Sequence, residues 1–317
     1  MPAYLLLILL LLGLTSACGE DEAHTTPRLT EAEEVSVEGD TTPFQGRVYE
    51  RKFAFISEEA DSLVVIPWFF GARTMPEGVE REVKGWMLRN GGWDAFQEDV
   101  QDTPSTRAPW RILPTLTTRI VAGGDDLIES IRFQEAGRRL ELGLGEMLAD
   151  WSGAGGESVR FFAAGSTTPT QDLEGVVLDL RRSRRAVDPS PGEWLFLVSG
   201  NNFQLFLDHP DAVEQGEATA RAWSRVDFLD RRWPEVTVEW TELRAFERAR
   251  RDVPVAWRFS TPGREISGEL EVGAVHLQAL EEEGPILPVE GLFEVRGEVQ
   301  MEGRAFPVVG LLRHVQP

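Results

Sequence analysis

The sequence predicts an all-β protein of antiparallel barrels or sandwiches, and three observations carry that prediction. From Phe44 onward apolar and polar residues alternate with a period of two, the pattern of strands with one dry and one wet side. The 30 glycines punctuate these segments at turn-like positions, as expected where many strands reverse direction. Helical spacing is rare; Thr241–Arg251 is the best candidate, and it reads equally well as an exposed loop.

The chain opens with an apolar run, Tyr4 to Leu14, followed by Thr15-Ser16-Ala17-Cys18. Such a run before small residues is an export signal and is shorter than the roughly 20 residues that span a bilayer. Cys18 is the only cysteine, and it stands where a bacterial lipoprotein signal carries its acylated residue. The expected partner is therefore a membrane, held through lipid on Cys18. Gly19 just after it points to the outer membrane of a bacterial envelope. A lone acylated cysteine leaves no thiol for a disulfide, so the fold must hold by packing. Residues 19 to 43 are polar and acidic without an apolar period, which suits a flexible tether.

The folded part then divides. A first β-domain is expected over 44–185 and a second over 192–317, separated at Arg181-Arg182-Ser183-Arg184-Arg185 and Asp188-Pro189-Ser190-Pro191. Charges and prolines at that density predict a solvated connection rather than a strand. In the first half Leu140, Leu142 and Leu144 form an apolar row. In the second half Val236, Val238 and Trp240 form another, and so do Ile266, Leu270 and Val272. At Gly273 the phase slips by one, to Val275 and Leu277, which predicts a β-bulge. Phe293, Val295, Val299 and Met301 face the core opposite Glu294, Arg296, Glu298, Gln300 and Glu302. Glu302-Gly303 reads as the tight turn of a terminal hairpin, with Pro307 at a free edge or a bulge.

Several chemistries are excluded. Lys+Arg 32 against Asp+Glu 53 leaves a net charge of −21, the wrong sign for a nucleic-acid partner. The histidines at 24, 209, 276 and 314 form no metal-ligand spacing, and no cofactor fingerprint or nucleophile elbow is present. No catalytic residue, metal site or cofactor is expected. His209 beside Asp208 and Asp211 reads as a polar turn with Pro210. The 10 tryptophans against 2 tyrosines draw attention, because indole offers large apolar area and one donor, which suits ligand cavities as well as cores. Trp68, Trp86, Trp194, Trp240 and Trp257 lie in or beside strands and are the candidate ligand contacts.

Pro254-Val255-Ala256-Trp257-Arg258-Phe259-Ser260-Thr261-Pro262, then Glu290-Gly291-Leu292-Phe293-Glu294-Val295-Arg296-Gly297 and a last strand Val308–Val315, resembles the C-terminal half of the AttH-like, hydroxyneurosporene synthase (carotenoid hydratase) family. The resemblance implies two lipocalin-like β-domains packed together. It departs from the family at Ile66-Pro67-Trp68-Phe69-Phe70, where an acid would precede the aromatics, and at Leu311-Leu312-Arg313, where Tyr-x-Glu would stand. Three functions fit: a lipid-anchored envelope protein that binds a small hydrophobic ligand, a lipid or isoprenoid; a hydratase- or cyclase-like enzyme acting on an unsaturated lipid; or a structural lipoprotein. The first is the expected one.

Overall fold

A computed structural model describes residues 46–59, 62–152, 157–188, 192–209 and 217–317. Cys18, the export segment, the acidic tether and residues 189–191 and 210–216 lie outside the described residues.

The chain forms two antiparallel sheets. The first contains β1 (Arg47–Glu59), β2 (Ser62–Met75), β3 (Gly78–Arg89), β4 (Gly92–Thr103), β5 (Thr118–Ala122), β6 (Ile128–Glu135), β7 (Arg138–Ser152), β8 (Ser158–Thr167) and β9 (Asp172–Arg185). Their order is β4-β3-β2-β1-β9-β8-β7-β6-β5, an open sheet with β4 and β5 at its edges. The second contains β10 (Trp194–Ser199), β11 (Phe203–Asp208), β12 (Glu217–Val226), β13 (Leu229–Phe246), β14 (Arg251–Ser260), β15 (Ile266–Ala279), β16 (Val289–Met301) and β17 (Arg304–Gln316). These run up and down in sequence order, and β17 pairs back onto β10 to close a barrel. The all-β, lipocalin-like expectation is met.

Three apolar cores follow from strands that are dry on both sides. In β1, Phe53 and Phe55 enter the hollow of the first sheet while Ala54 and Ile56 enter the core it shares with the barrel. In β10, Leu195 and Leu197 enter the barrel while Trp194, Phe196 and Val198 meet the first sheet. Such strands read as continuous apolar runs, as in Leu63 to Phe70 and Trp194 to Val198, because neither face meets water. The barrel interior is filled by Trp257, Phe259, Phe293 and their neighbours, as eight strands leave room for little more than side chains.

The bulge at Gly273 is present: the β15–β16 register shifts between Val272 and Ala274. A Cβ at Gly273 would fall on the Glu294 carboxylate, so glycine leaves room for that acid. Glu294, expected on the wet face, is in fact buried, with Arg296 as its ion-pair partner. The terminal hairpin turns at Glu302-Gly303, both in the left-handed region (φ 52° and 75°). Pro307 pairs with Glu298 on one side and lies beyond the end of β10 on the other, a free edge where its missing donor costs nothing.

Two expectations are corrected. Arg181–Arg185 is not a loop but the end of β9, paired to β1 from Arg47 to Arg51. The alternation sends Arg182 towards Asp208 and Arg181 to the hollow of the first sheet, so each charge finds a separate setting. Thr241–Arg251 is neither helix nor loop over most of its length. β13 continues to Phe246, pairing with β14, and only then turns. Phe246 packs on Ala249, Val253, Leu287 and Val289, a small satellite core that keeps the strand extended.

Candidate functional site

Eight strands close the barrel, but the first sheet stays open because β4 and β5 share no backbone ladder. Side chains sew that gap. Gln97 of β4 donates from Nε2 to Thr118 Oγ1 (2.6 Å) and to Thr117 Oγ1 (3.2 Å). Asp99 accepts from the Thr115 and Thr117 hydroxyls at 3.2 and 3.0 Å. Trp68 belongs to this seam: its Nε1 donates to Gln97 Oε1 at 2.9 Å. The connection 104–117 then folds over one end of the hollow. Arg81 pins it, donating to Thr103 Oγ1 (3.0 Å) and to the carbonyls of Ala108 (3.0 Å), Pro109 (3.3 Å) and Arg111 (2.7 Å).

Beneath this strap lies a cavity of ≈ 200 Å³. Its apolar walls include Phe70, Val83, Ile112 and Trp110, the last packed against Tyr49 with ring centroids 6.3 Å apart. Its charges are arginines. Arg51 and Arg181 face each other across the β1–β9 pair. Arg51 is used up: Nε and Nη2 take both oxygens of Asp179 at 2.9 and 2.7 Å, and Nη1 donates to the Asp126 carbonyl at 2.9 Å. Arg181 makes no hydrogen bond or ion pair among the described residues. At the rim Arg47 donates to Ser183 Oγ (3.1 Å), and Arg111 meets Asp126 at 3.2 Å. The two carboxylates at the lining, Glu50 and Glu82, pair with Lys52 (2.9 Å) and Lys84 (2.5 Å).

Glu50 and Lys52 belong to a charge cluster buried between the sheets. Burial alone would raise the Glu50 carboxyl, but Lys52, Arg313 and Arg182 hold it down at about 2. Burial, and then Arg313, push the Lys52 ammonium down to about 8 against the pull of Glu50. Asp208 is a second acid buried at this cluster: Arg182 meets it at 2.5 Å and Arg221 at 2.8 Å. The expected polar turn at Asp208–His209 is therefore a buried counter-ion followed by a buried histidine; Pro210 and Asp211 lie outside the described residues.

Two further places differ from this cavity in character. Inside the barrel His314 Nδ1 meets Glu193 Oε1, and Trp240 Nε1 donates to Glu193 Oε2 at 3.4 Å. The adjoining void beside His209 and Trp257 is only ≈ 10 Å³, the size of one water, so no substrate reaches this dyad. A recess of ≈ 370 Å³ opens where β14 and β15 part beyond Ala256 and Glu271, but Arg258, Glu269, Glu271 and Arg296 make it a charged, solvent-facing groove.

The five tryptophans separate into different places. Trp68 is in the hollow of the first sheet and Trp257 in the barrel, packed on Phe293. Trp194 lies between the sheets, joined through Phe69 to half-buried Trp86, which reaches His276. Half-buried Trp240 rests on His314. Trp257 and Trp194 border the one-water void, and Trp257 also borders the charged groove. The strap cavity is lined instead by Trp110, which the sequence did not single out, and by Arg181, expected in a solvated connection. One signal pointed to the strap: Pro104, Pro109 and Pro114 bracket apolar Trp110, Ile112 and Leu113, an unusual composition for a solvated loop.

A double lipocalin-like architecture, one sheet open and one closed, is thus the class to which the fold belongs. An AttH candidate from Nitrosomonas europaea has the same fold, with a TM-score of 0.54 over 86% of this chain and 94% of that one, at 13% identity. Kievitone hydratase from Nectria haematococca matches with a TM-score of 0.52 over 85% of this chain and 88% of that one, also at 13% identity. Neither a protein-family model nor a curated protein matches the sequence. The likeness read from Val253–Val315 therefore extends through the whole folded part, at the level of fold, and a shared fold does not transmit an activity.

Proposed function

We propose that the chain is an envelope lipoprotein, acylated at Cys18 and held at the bacterial outer membrane, that binds a small apolar ligand in the cavity under the strap. The observation that carries the binding reading is the cavity itself. It joins apolar walls to a few polar groups, as ligand sites do. At ≈ 200 Å³ it is below the roughly 300–1,000 Å³ of sites that enclose a ligand, so it grips one end of a molecule whose remainder leaves by the mouth. In this reading Trp68, Trp86, Trp194, Trp240 and Trp257 frame the cores around the site, and Trp110 touches the ligand.

The anchor rests on the sequence: a short apolar run, small residues, then the lone Cys18. Acyl chains contribute about 0.8 kcal/mol per buried methylene, so more than one gives a durable hold. Mass spectrometry of the mature protein from its host should find an acylated N-terminal Cys18, and Cys18→Ser should abolish labelling by palmitate. An unmodified Cys18 would remove the anchor from the account. For the site, the neutral probe N-phenyl-1-naphthylamine should brighten on binding, and Ile112→Trp, which fills the cavity, should abolish the signal. An unchanged signal in Ile112→Trp would place the probe elsewhere and overturn this site.

A hydratase would need a carboxyl kept neutral in an apolar pocket to protonate an alkene. Both carboxylates at this cavity have lysine partners, and Glu50 is held far into the ionised range. The binding reading is therefore preferred.

A further inference from the structure

We infer that the ligand is an amphiphile whose head is a carboxylate, and that Arg181 is the residue that takes it. The inference rests on the strap cavity being the binding site and goes further by assigning the chemistry of the bound end.

The chain carries −21 overall, yet Arg51, Arg81, Arg181, Arg47 and Arg111 gather at this one cavity or its rim. Most of them have structural partners. Arg51 has Asp179 and the Asp126 carbonyl, Arg81 holds the strap, Arg111 meets Asp126 and Arg47 meets Ser183. Arg181 sits directly opposite Arg51 on the same face of the sheet. Like charges so placed destabilise a sheet, and Asp179, two residues earlier on that face of β9, already has both oxygens bound to Arg51.

A second observation lies on the other side of Arg181. Its cross-strand partner on β8 is Ser158, whose buried hydroxyl has no hydrogen-bond partner. Among the described residues Arg181 is thus a guanidinium without an anion at the cavity wall, beside a buried hydroxyl without a partner. A planar carboxylate supplies the missing anion. Its two oxygens match the guanidinium fork, its charge relieves the Arg51–Arg181 repulsion, and its tail lies along Phe70, Val83 and Ile112.

The test uses the full chain carrying Cys18→Ser, with dodecanoate, its methyl ester and dodecanol titrated by calorimetry. Dodecanoate should bind at least tenfold more tightly than either neutral analogue. Arg181→Gln should remove that preference, so that dodecanoate binds no more tightly than its methyl ester, and Arg181→Lys should keep part of it. Circular dichroism checks that the variants fold; should Arg181→Gln not fold, the wild-type comparison of acid with ester decides alone. Equal binding of acid, ester and alcohol overturns the carboxylate inference and leaves the cavity reading standing. Binding of none of the three overturns both.

Discussion

The two sheets solve one problem in opposite ways. Each is a curled antiparallel ribbon with a dry inner face. In the barrel β17 returns to β10 and closes the ring, and the void beside Glu193, His209 and Trp257 is only ≈ 10 Å³. In the first sheet β4 and β5 never meet by backbone, so threonine and glutamine side chains sew the gap and a strap covers the end, leaving ≈ 200 Å³. Full closure removes edges and also removes space. Incomplete closure leaves a cavity, and with it the polar groups that a ladder would have consumed. The proposed binding site accordingly lies in the sheet that did not close.

The contrast is tested first by cavity creation. Trp257→Ala in the packed barrel should cost about 3–5 kcal/mol, read as a fall in the urea midpoint. Trp110→Ala, on the exposed strap (46% exposed), should cost under about 0.5 kcal/mol, as surface changes do, and lose ligand-dependent quenching. Equal costs would mean that the cavity is not a real difference between the sheets.

The next largest effect concerns the seam between them. Glu50→Leu should cost about 3 kcal/mol, because it leaves the buried Lys52 facing Arg313 and Arg182 without its own acid. Lys52→Met should cost little, since Glu50 keeps Arg313 and Arg182. A double-mutant cycle on unfolding free energies would show the asymmetry; identical single-mutant losses would refute it.

Arg81→Ala should cost on the order of 2 kcal/mol through carbonyls left without donors. It should also expose the backbone of 104–117 to hydrogen exchange while the barrel stays protected. Uniform loss of protection would show that the strap and barrel unfold as one.

The last effect is a pH slope. The Lys52 ammonium lies at about 8 in the folded chain against 10.5 unfolded, so between those values the unfolded chain binds more protons. Stability relative to Lys52→Met should therefore rise as pH increases from 8 to 10.5, and be flat below 7. Titration of the wild-type and variant unfolding curves gives the difference, and a falling difference would contradict the assignment.

How much was legible follows from how local each feature is. The strands, the slip at Gly273 and the turn at Glu302-Gly303 depend on a few consecutive residues, so alternation and glycine placement revealed them. Arg181–Arg185 misled because charge density is a local cue, whereas the acid that receives Arg182 is Asp208 on another sheet. Thr241–Arg251 misled likewise, since the partners of Phe246 come from Val253, Leu287 and Val289. The tryptophans showed that large apolar area had to be buried, but not against what.

Period-two alternation by itself determined that this chain is made of strands, because a strand's two faces repeat every second residue whatever surrounds them. Only the tertiary structure decided which strands share a core, which ribbon closes and where, among the described residues, an arginine has no partner. Arg51 and Arg181 lie 130 positions apart and become neighbours through the β1–β9 register alone. That register is set by summed packing across three cores, a quantity that no short stretch of sequence contains.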